Sequence, residues 1–291
     1  MALLLQMLRP GFLLHDALVG SVLVGFVCPL VGVYFVLRRM ILLGVALPQL
    51  SAAGIAFAFL VAHLAMGASA GTLGAHAIAL SGSLLFTLGG TFLLAAFDRR
   101  GREMAEARIG VSFAVAGACT MLFLASDPSG EPEMVSLLKG DLLATTQTSL
   151  TTLLAIFGAI VLLLMVLRKE FLLVSFDRDL AVVFGRRAGF WDGLLYLTIA
   201  VTIALGVTTA GPLVTFGFLV VPPVAARMLT RHMITFSLVA AGIGAVSAFV
   251  GFYCAYRFDV PLGPAEVAFA SVILLFATVG SAVRRMAWGG G

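Results

Sequence analysis

Charge is scarce in this chain. Only 11% of its 291 residues are Asp, Glu, Lys or Arg, against roughly 25% in an ordinary soluble domain. Eighteen basic and fourteen acidic side chains cannot clothe a water-exposed surface of this length, which excludes a soluble globular enzyme and leaves no room for a second soluble domain. Cysteine is scarce too. Cys28, Cys119 and Cys254 lie far apart in apolar runs, without CxxC spacing or an even count, so neither a disulfide framework nor a cysteine metal site is expected. The chain lacks GxxxxGK[ST], which excludes nucleotide binding by a P-loop, and it lacks HExxH, GxSxG and CxxCH, so nothing points to an enzyme. Any ATPase is expected to be another chain. The N-terminal MALLLQMLRPGF has neither the basic start nor the small-residue cleavage site of a secretory signal, and is expected to stay. No apolar run carries the series of Asp, Glu, Lys or His residues that a proton-coupled carrier uses.

What the chain has instead is hydrocarbon: 61% of residues are hydrophobic and mean hydropathy is +1.13. At about 20 apolar residues per crossing, this length predicts an all-α polytopic membrane protein of eight to ten helices, one transmembrane domain over 1–291. Apolar runs fall at 17–37, 45–66, 76–97, 109–126, 148–167, 193–209, 212–229, 233–256 and 265–283. The pair 193–209 and 212–229 meets at Gly211-Pro212. Proline there cannot continue a regular helix without losing a backbone bond, so one of the two runs is a candidate half-helix or re-entrant piece.

The net charge of +4 is first explained by basic cytoplasmic loops rather than by nucleic acid, which is not expected as a partner. Arg38 and Arg39, Arg99, Arg100, Arg102 and Arg108, Arg168, Lys169, Arg178, Arg186 and Arg187, Arg227 and Arg231, and Arg284 and Arg285 all fall on one face if the runs alternate. That face is expected to be cytoplasmic. The opposite face then receives 67–75, the acidic SDPSGEPE at 126–133 and the turn containing Asp259. The N-terminus lies outside with nine full crossings and inside with one more or one fewer, and the sequence leaves both open.

The longest hydrophilic stretch, 168–193, lies on the basic face. Within it, Phe176 to Gly185 reads as a short helix: Asp177 caps its start, Gly185 ends it, and Leu180, Val183 and Phe184 share a side. A helix of that kind either docks a partner or lies flat in the lipid interface. The stretch 37–60 is the most unusual: Pro48 and Gln49 with Ser51 and Gly54 interrupt an apolar run just inside the membrane. Two readings fit it: a helix lining a translocation path, or a packing seam built from Ala46, Ala52, Ala53 and Gly54. His63 and His76 flank one outer loop, where interfacial placement competes with transient contact to a divalent cation. Glu266, three residues after Gly263, sits where a carboxylate caps the positive end of a helix.

Five patches occur together in one order: Arg38-Arg39-Met40 with Leu42-Leu43-Gly44-x-Ala46-Leu47; Lys139-Gly140-Asp141-Leu142-Leu143; the helix from Asp177 to Gly185; Ala210-Gly211-Pro212-Leu213-Val214-x-Phe216-Gly217-x-Leu219-Val220-Val221-Pro222; and Tyr256-x-x-Asp259-x-Pro261-x-Gly263. With them the chain resembles, from about 17 to 285, the permease subunit of the zinc, manganese and iron ABC importers. The last three patches are also similar to the larger cobalamin and siderophore permeases, which share the type II importer architecture.

The resemblance implies a homodimer around a central path, two copies of a cytoplasmic ABC ATPase that carry ATP and Mg²⁺, an extracytoplasmic substrate-binding protein, and the cytoplasmic membrane of a bacterium or archaeon. It implies no cofactor on this chain. It makes 177–186 a coupling helix, with Asp177, Asp179, Leu180, Ala181, Phe184 and Gly185 facing the ATPase, and places Val45, Pro48, Gln49 and Ser51 on the translocation path. One departure stands out. Metal-importing relatives usually carry Asp and His one helical turn apart where this chain has Val45 and Gln49. Valine offers no ligand and a neutral amide is a poor one for a transition metal, so no metal ligand is assigned. Either cations pass without that coordination, or ligands come from elsewhere, or the substrate is a chelate. The rival readings are a permease for haem, cobalamin or a siderophore, a non-transporting membrane scaffold or sensor, and a secondary carrier that works without ATP.

Overall fold

The computed structural model describes residues 14–66, 72–98, 105–126, 147–176, 181, 183–185, 187–230 and 232–288. Among these residues the chain forms nine helices: α1 (His15–Leu37), α2 (Leu43–Met66), α3 (Thr72–Asp98), α4 (Ala105–Ala125), α5 (Gln147–Val166), α6 (Arg168–Phe176), α7 (Ala188–Leu229), α8 (Met233–Phe258) and α9 (Leu262–Trp288). All but α6 are long and apolar enough to cross a membrane.

Helix α7 has 42 residues, about twice what a 30 Å hydrocarbon layer needs. It is not straight. Gly211 breaks it with φ 83° and ψ 164°, a backbone region open essentially to glycine alone. Asp192, near the start of α7, pairs with Arg38 at the end of α1. Arg227, in the last turn of α7, lines the same cavity as Arg38. Both ends of α7 therefore lie at one face, and the helix is a hairpin of two legs, 188–210 and 212–229. At 1.5 Å per residue these legs are about 34 and 27 Å long, each close to a full crossing. The nine apolar runs of the sequence thus become nine legs, with neither run at Gly211-Pro212 reduced to a short re-entrant piece.

Leu94 of α3, Glu106 and Arg108 of α4, and Ser175 and Phe176 of α6 line that same cavity. The end of α1, the start of α2, the end of α3, the start of α4 and both ends of α7 therefore gather on one basic face. Nine alternating legs put the start of α1 on the opposite face and the end of α9 on the basic one.

The core is built around α1 and α7. Helix α1 packs on α7 and α8, α2 on α3 and α4, and α7 also touches α2, α3, α8 and α9. Between helices in lipid there is little hydrophobic drive, so close van der Waals approach of small residues does the packing. Gly25 of α1 meets Gly244 of α8, and Gly54 of α2 meets Gly82 of α3; a methyl group on either member of a pair would collide with its partner's backbone oxygen.

Glu266 departs from the expectation of an N-terminal cap. It is fully buried, and its Oε1 accepts a 2.5 Å hydrogen bond from Ser21 of α1. Its backbone lies hard against Gly251 of α8. As the fifth residue of α9 it has already turned inward, away from the free N–H groups of the helix end, and it ties α1 to α9.

Candidate translocation path and coupling surface

The site is organised by the corner between α1 and α2. After Leu37 the chain closes with Met40 N–H donating to the Phe35 carbonyl at 2.9 Å and Arg39 N–H to that of Val36 at 3.3 Å. This double closure with a left-handed residue between is the Schellman arrangement, and the left-handed residue is Arg39, φ 58°. Leu43 N–H then donates to Met40 and Val45 N–H to Leu42, which starts α2 within one turn. Arg38 fixes the corner. Its Nη2 donates to Asp192 Oδ1 at 2.8 Å, its Nε to Ser175 Oγ at 3.1 Å, and its guanidinium lies over the ring of Tyr196.

Helix α2 presents two different faces. Val45 and Gln49, at i and i+4, share one face and are each half-buried. Gln49 Nε2 reaches Gly117 of α4. Pro48 and Ser51 are buried inside the protomer; Ser51 Oγ is hydrogen-bonded to Ser83 Oγ of α3 at 2.5 Å, and Ser83 Oγ donates on to the Ala204 carbonyl of α7 at 3.4 Å. Ala46, Ala52 and Ala53 are buried as well, and with Gly54 on Gly82 they make the packing seam. Of the four residues named for the path, Val45 and Gln49 share the half-buried face, and Pro48 and Ser51 are buried within the protomer. Among the described residues no group of three His, Cys, Asp or Glu side chains could hold a metal ion.

Asp177, Asp179 and Leu180 lie outside the described residues, as does the Lys139–Leu143 patch. Ala181 is fully buried and packs with Val174 of α6 and Ala188 of α7, flanked by Leu173 and Trp191. Val183 and Phe184 point outward, 81% and 66% exposed. Gly185 has φ 71°, the backbone that ends a helix at glycine. Ala181 is thus anchored beside the end of α6, with the apolar side chains of Val183 and Phe184 exposed a few residues on. Sequence reasoning missed Asp192, whose signal was a lone carboxylate at the edge of an apolar run, and the Ser51–Ser83 bridge, whose partners lie on successive crossings.

The sequence profile of the ABC 3 transport family matches residues 12–281. The chain belongs to that family. A relative from Listeria innocua, named a manganese transport system membrane protein, is 27% identical over 93% of this ABC 3 chain and 91% of its own length. A probable iron transport system membrane protein from Haemophilus influenzae is 26% identical over 90% and 87%. The solved structure of PsaBC from Streptococcus pneumoniae in complex with Fab superposes with a TM-score of 0.79 at 22% identity, covering 95% of this chain and 94% of that one. The two chains share one fold over that length.

Proposed function

We propose that this chain is the permease subunit of an ATP-binding-cassette importer for divalent metal ions, manganese first among them, in a bacterial or archaeal cytoplasmic membrane. The observation that carries the reading is the family match over 12–281 together with full-length relatives named for manganese and iron transport. The basic face is the cytoplasmic one. Two copies of the chain enclose the path, two ATPase subunits dock below and supply ATP and Mg²⁺, and an external protein delivers the substrate.

In this mechanism the ATPases close on ATP and push on the knob formed around Ala181, Phe184 and Gly185. Ala181 is seated against α6 and the start of α7, and Arg38 joins those two helices to α1, so displacement of the knob moves α1 and α7 as one body. Rigid-body rocking of that kind exchanges access between the two faces. Val45 and Gln49, half-buried toward α4, line the path as a neutral segment. A second reading, import of a metal chelate, is favoured by that neutrality, because neither side chain is a good ligand for a bare transition ion.

The test is uptake into proteoliposomes that hold this chain with its ATPase and binding protein, with manganese, zinc, iron(II) and chelated iron supplied separately. Saturable, ATP-dependent uptake of a free ion is the expected result. Uptake of the chelate alone would move the assignment to the second reading, and an ATPase that never co-purifies with the chain would leave a membrane scaffold.

A further inference from the structure

Arg39 occupies a position where the backbone asks for glycine. At φ 58°, closing the end of α1, it sits in the left-handed slot that Gly usually fills and that a β-carbon makes costly. The observed outlier calls for a use of the side chain. Arg39 is exposed and makes no ion pair among the described residues. It stands on the rim of a cavity of about 1060 Å³ lined by the α1–α2 corner, α3, α4, α6 and the end of α7.

Four guanidinium groups line that cavity, those of Arg38, Arg39, Arg108 and Arg227. Arg38 is paired with Asp192; among the described residues, Arg39 and Arg227 make no ion pair and stand with the lining carboxylate of Glu106. Besides Ser175, the rest of the wall carries apolar side chains, among them Ile41, Leu42, Leu94, Ile109 and Phe176. Ile41 and Leu42 are 36% and 42% exposed directly beside the basic rim. The cavity is at the upper end of what small-molecule sites offer, far more than one phosphate ion fills. Its level is set by the ends of the apolar legs, which is the membrane boundary.

We propose that this cavity binds the headgroup of an anionic phospholipid. Arg39 and Arg227 hold the phosphate, which suits the planar fork of guanidinium, while Ile41, Leu42 and Phe176 cover the glycerol and the first methylenes of the chains. Basic clusters at the cytoplasmic end of membrane helices recognise anionic lipid on these terms. A soluble anion would use the arginines and leave the apolar wall without a partner. A lipid in this place bridges the α1–α2 corner, the start of α4 and the end of α7.

The test is native mass spectrometry of the purified full-length chain, titrated with phosphatidylglycerol, with phosphatidylcholine, and with phosphatidylglycerol in the presence of inorganic phosphate. Phosphatidylglycerol is expected to be retained over phosphatidylcholine, and Arg39→Gly and Arg227→Gln are each expected to weaken that retention roughly fivefold. Arg39→Lys, which keeps the charge and loses the fork, is expected to fall between the parent and Arg39→Gly. Because glycine suits the left-handed backbone, Arg39→Gly is expected to melt no lower than the parent, which separates lost binding from lost fold. Equal retention by the parent and the Arg39→Gly/Arg227→Gln double variant overturns the proposal. Displacement of the lipid by millimolar phosphate overturns it in favour of a soluble anion.

Discussion

Arg38 donates to side chains on α6 and α7 while ending α1, so three elements meet on one guanidinium that is only 11% exposed. Removing the acidic partner leaves a nearly buried cation without a counter-charge. Asp192→Ala is therefore expected to cost about 3–5 kcal/mol, whereas Arg38→Met with Asp192→Leu, which removes both charges, costs far less; denaturation of the purified protein in detergent compares the two. Asp192 and Glu266 also show what a linear sequence encodes about single residues. Each is a lone carboxylate about one turn from the start of an apolar helix, and distance from a helix end was the only information available for either. One pairs with an arginine 154 residues away and the other accepts from a serine 245 residues away. Neither partner has a local signature, so the cap assigned to Glu266 was a reasonable inference from position and a wrong one.

Elements were far more legible than contacts, because helix existence in a membrane protein is set by composition and length. Each of the nine apolar runs is a leg of the fold, and Gly211-Pro212 did mark a break. Alternation of the runs put both ends of this pair on the basic face only if each was a full crossing; that both are legs of a hairpin is shown by the break at Gly211 and by Arg38 and Asp192 meeting. The hairpin rests on a backbone that only glycine adopts without strain, φ 83° and ψ 164°. Gly211→Ala is expected to lower stability by about 1–3 kcal/mol and to reduce uptake, read by thermal melting and transport in the same preparation. Gly185→Ala tests the knob less cleanly, since it disturbs backbone and surface together. Phe184→Asp is better: the side chain is 66% exposed, so melting should shift by no more than about 0.5 kcal/mol, while ATP hydrolysis is expected to separate from uptake. If uptake and ATPase assembly both survive Phe184→Asp and the companion Leu180→Asp, the knob does not couple the two subunits.

At the scale of the whole molecule, α2 faces two ways. Ser51, Ala52, Ala53 and Gly54 are packed within the protomer, while Val45 and Gln49 remain half-buried beside α4, a helix with little of its own surface covered. In a homodimer such an uncovered face is where two copies would enclose a path, and the sequence alone could give the angle between the two faces of α2 but not which of them turned inward. That arrangement makes the double substitution Val45→Asp with Gln49→His informative. Residues at i and i+4 project from one side of a helix, so the pair would place a carboxylate and an imidazole where one divalent ion could meet both. If the face lines the path, free manganese and zinc should bind more tightly in transit. The KM for their uptake is then expected to fall severalfold, and a chelate should be transported less well because it meets a charged, ligating constriction in place of a neutral one. Assembly with the ATPase should not change, since both positions lie above the basic face. Unaltered substrate range and rate in proteoliposomes would place Val45 and Gln49 off the path and shift the search to the other half-covered surfaces of α4.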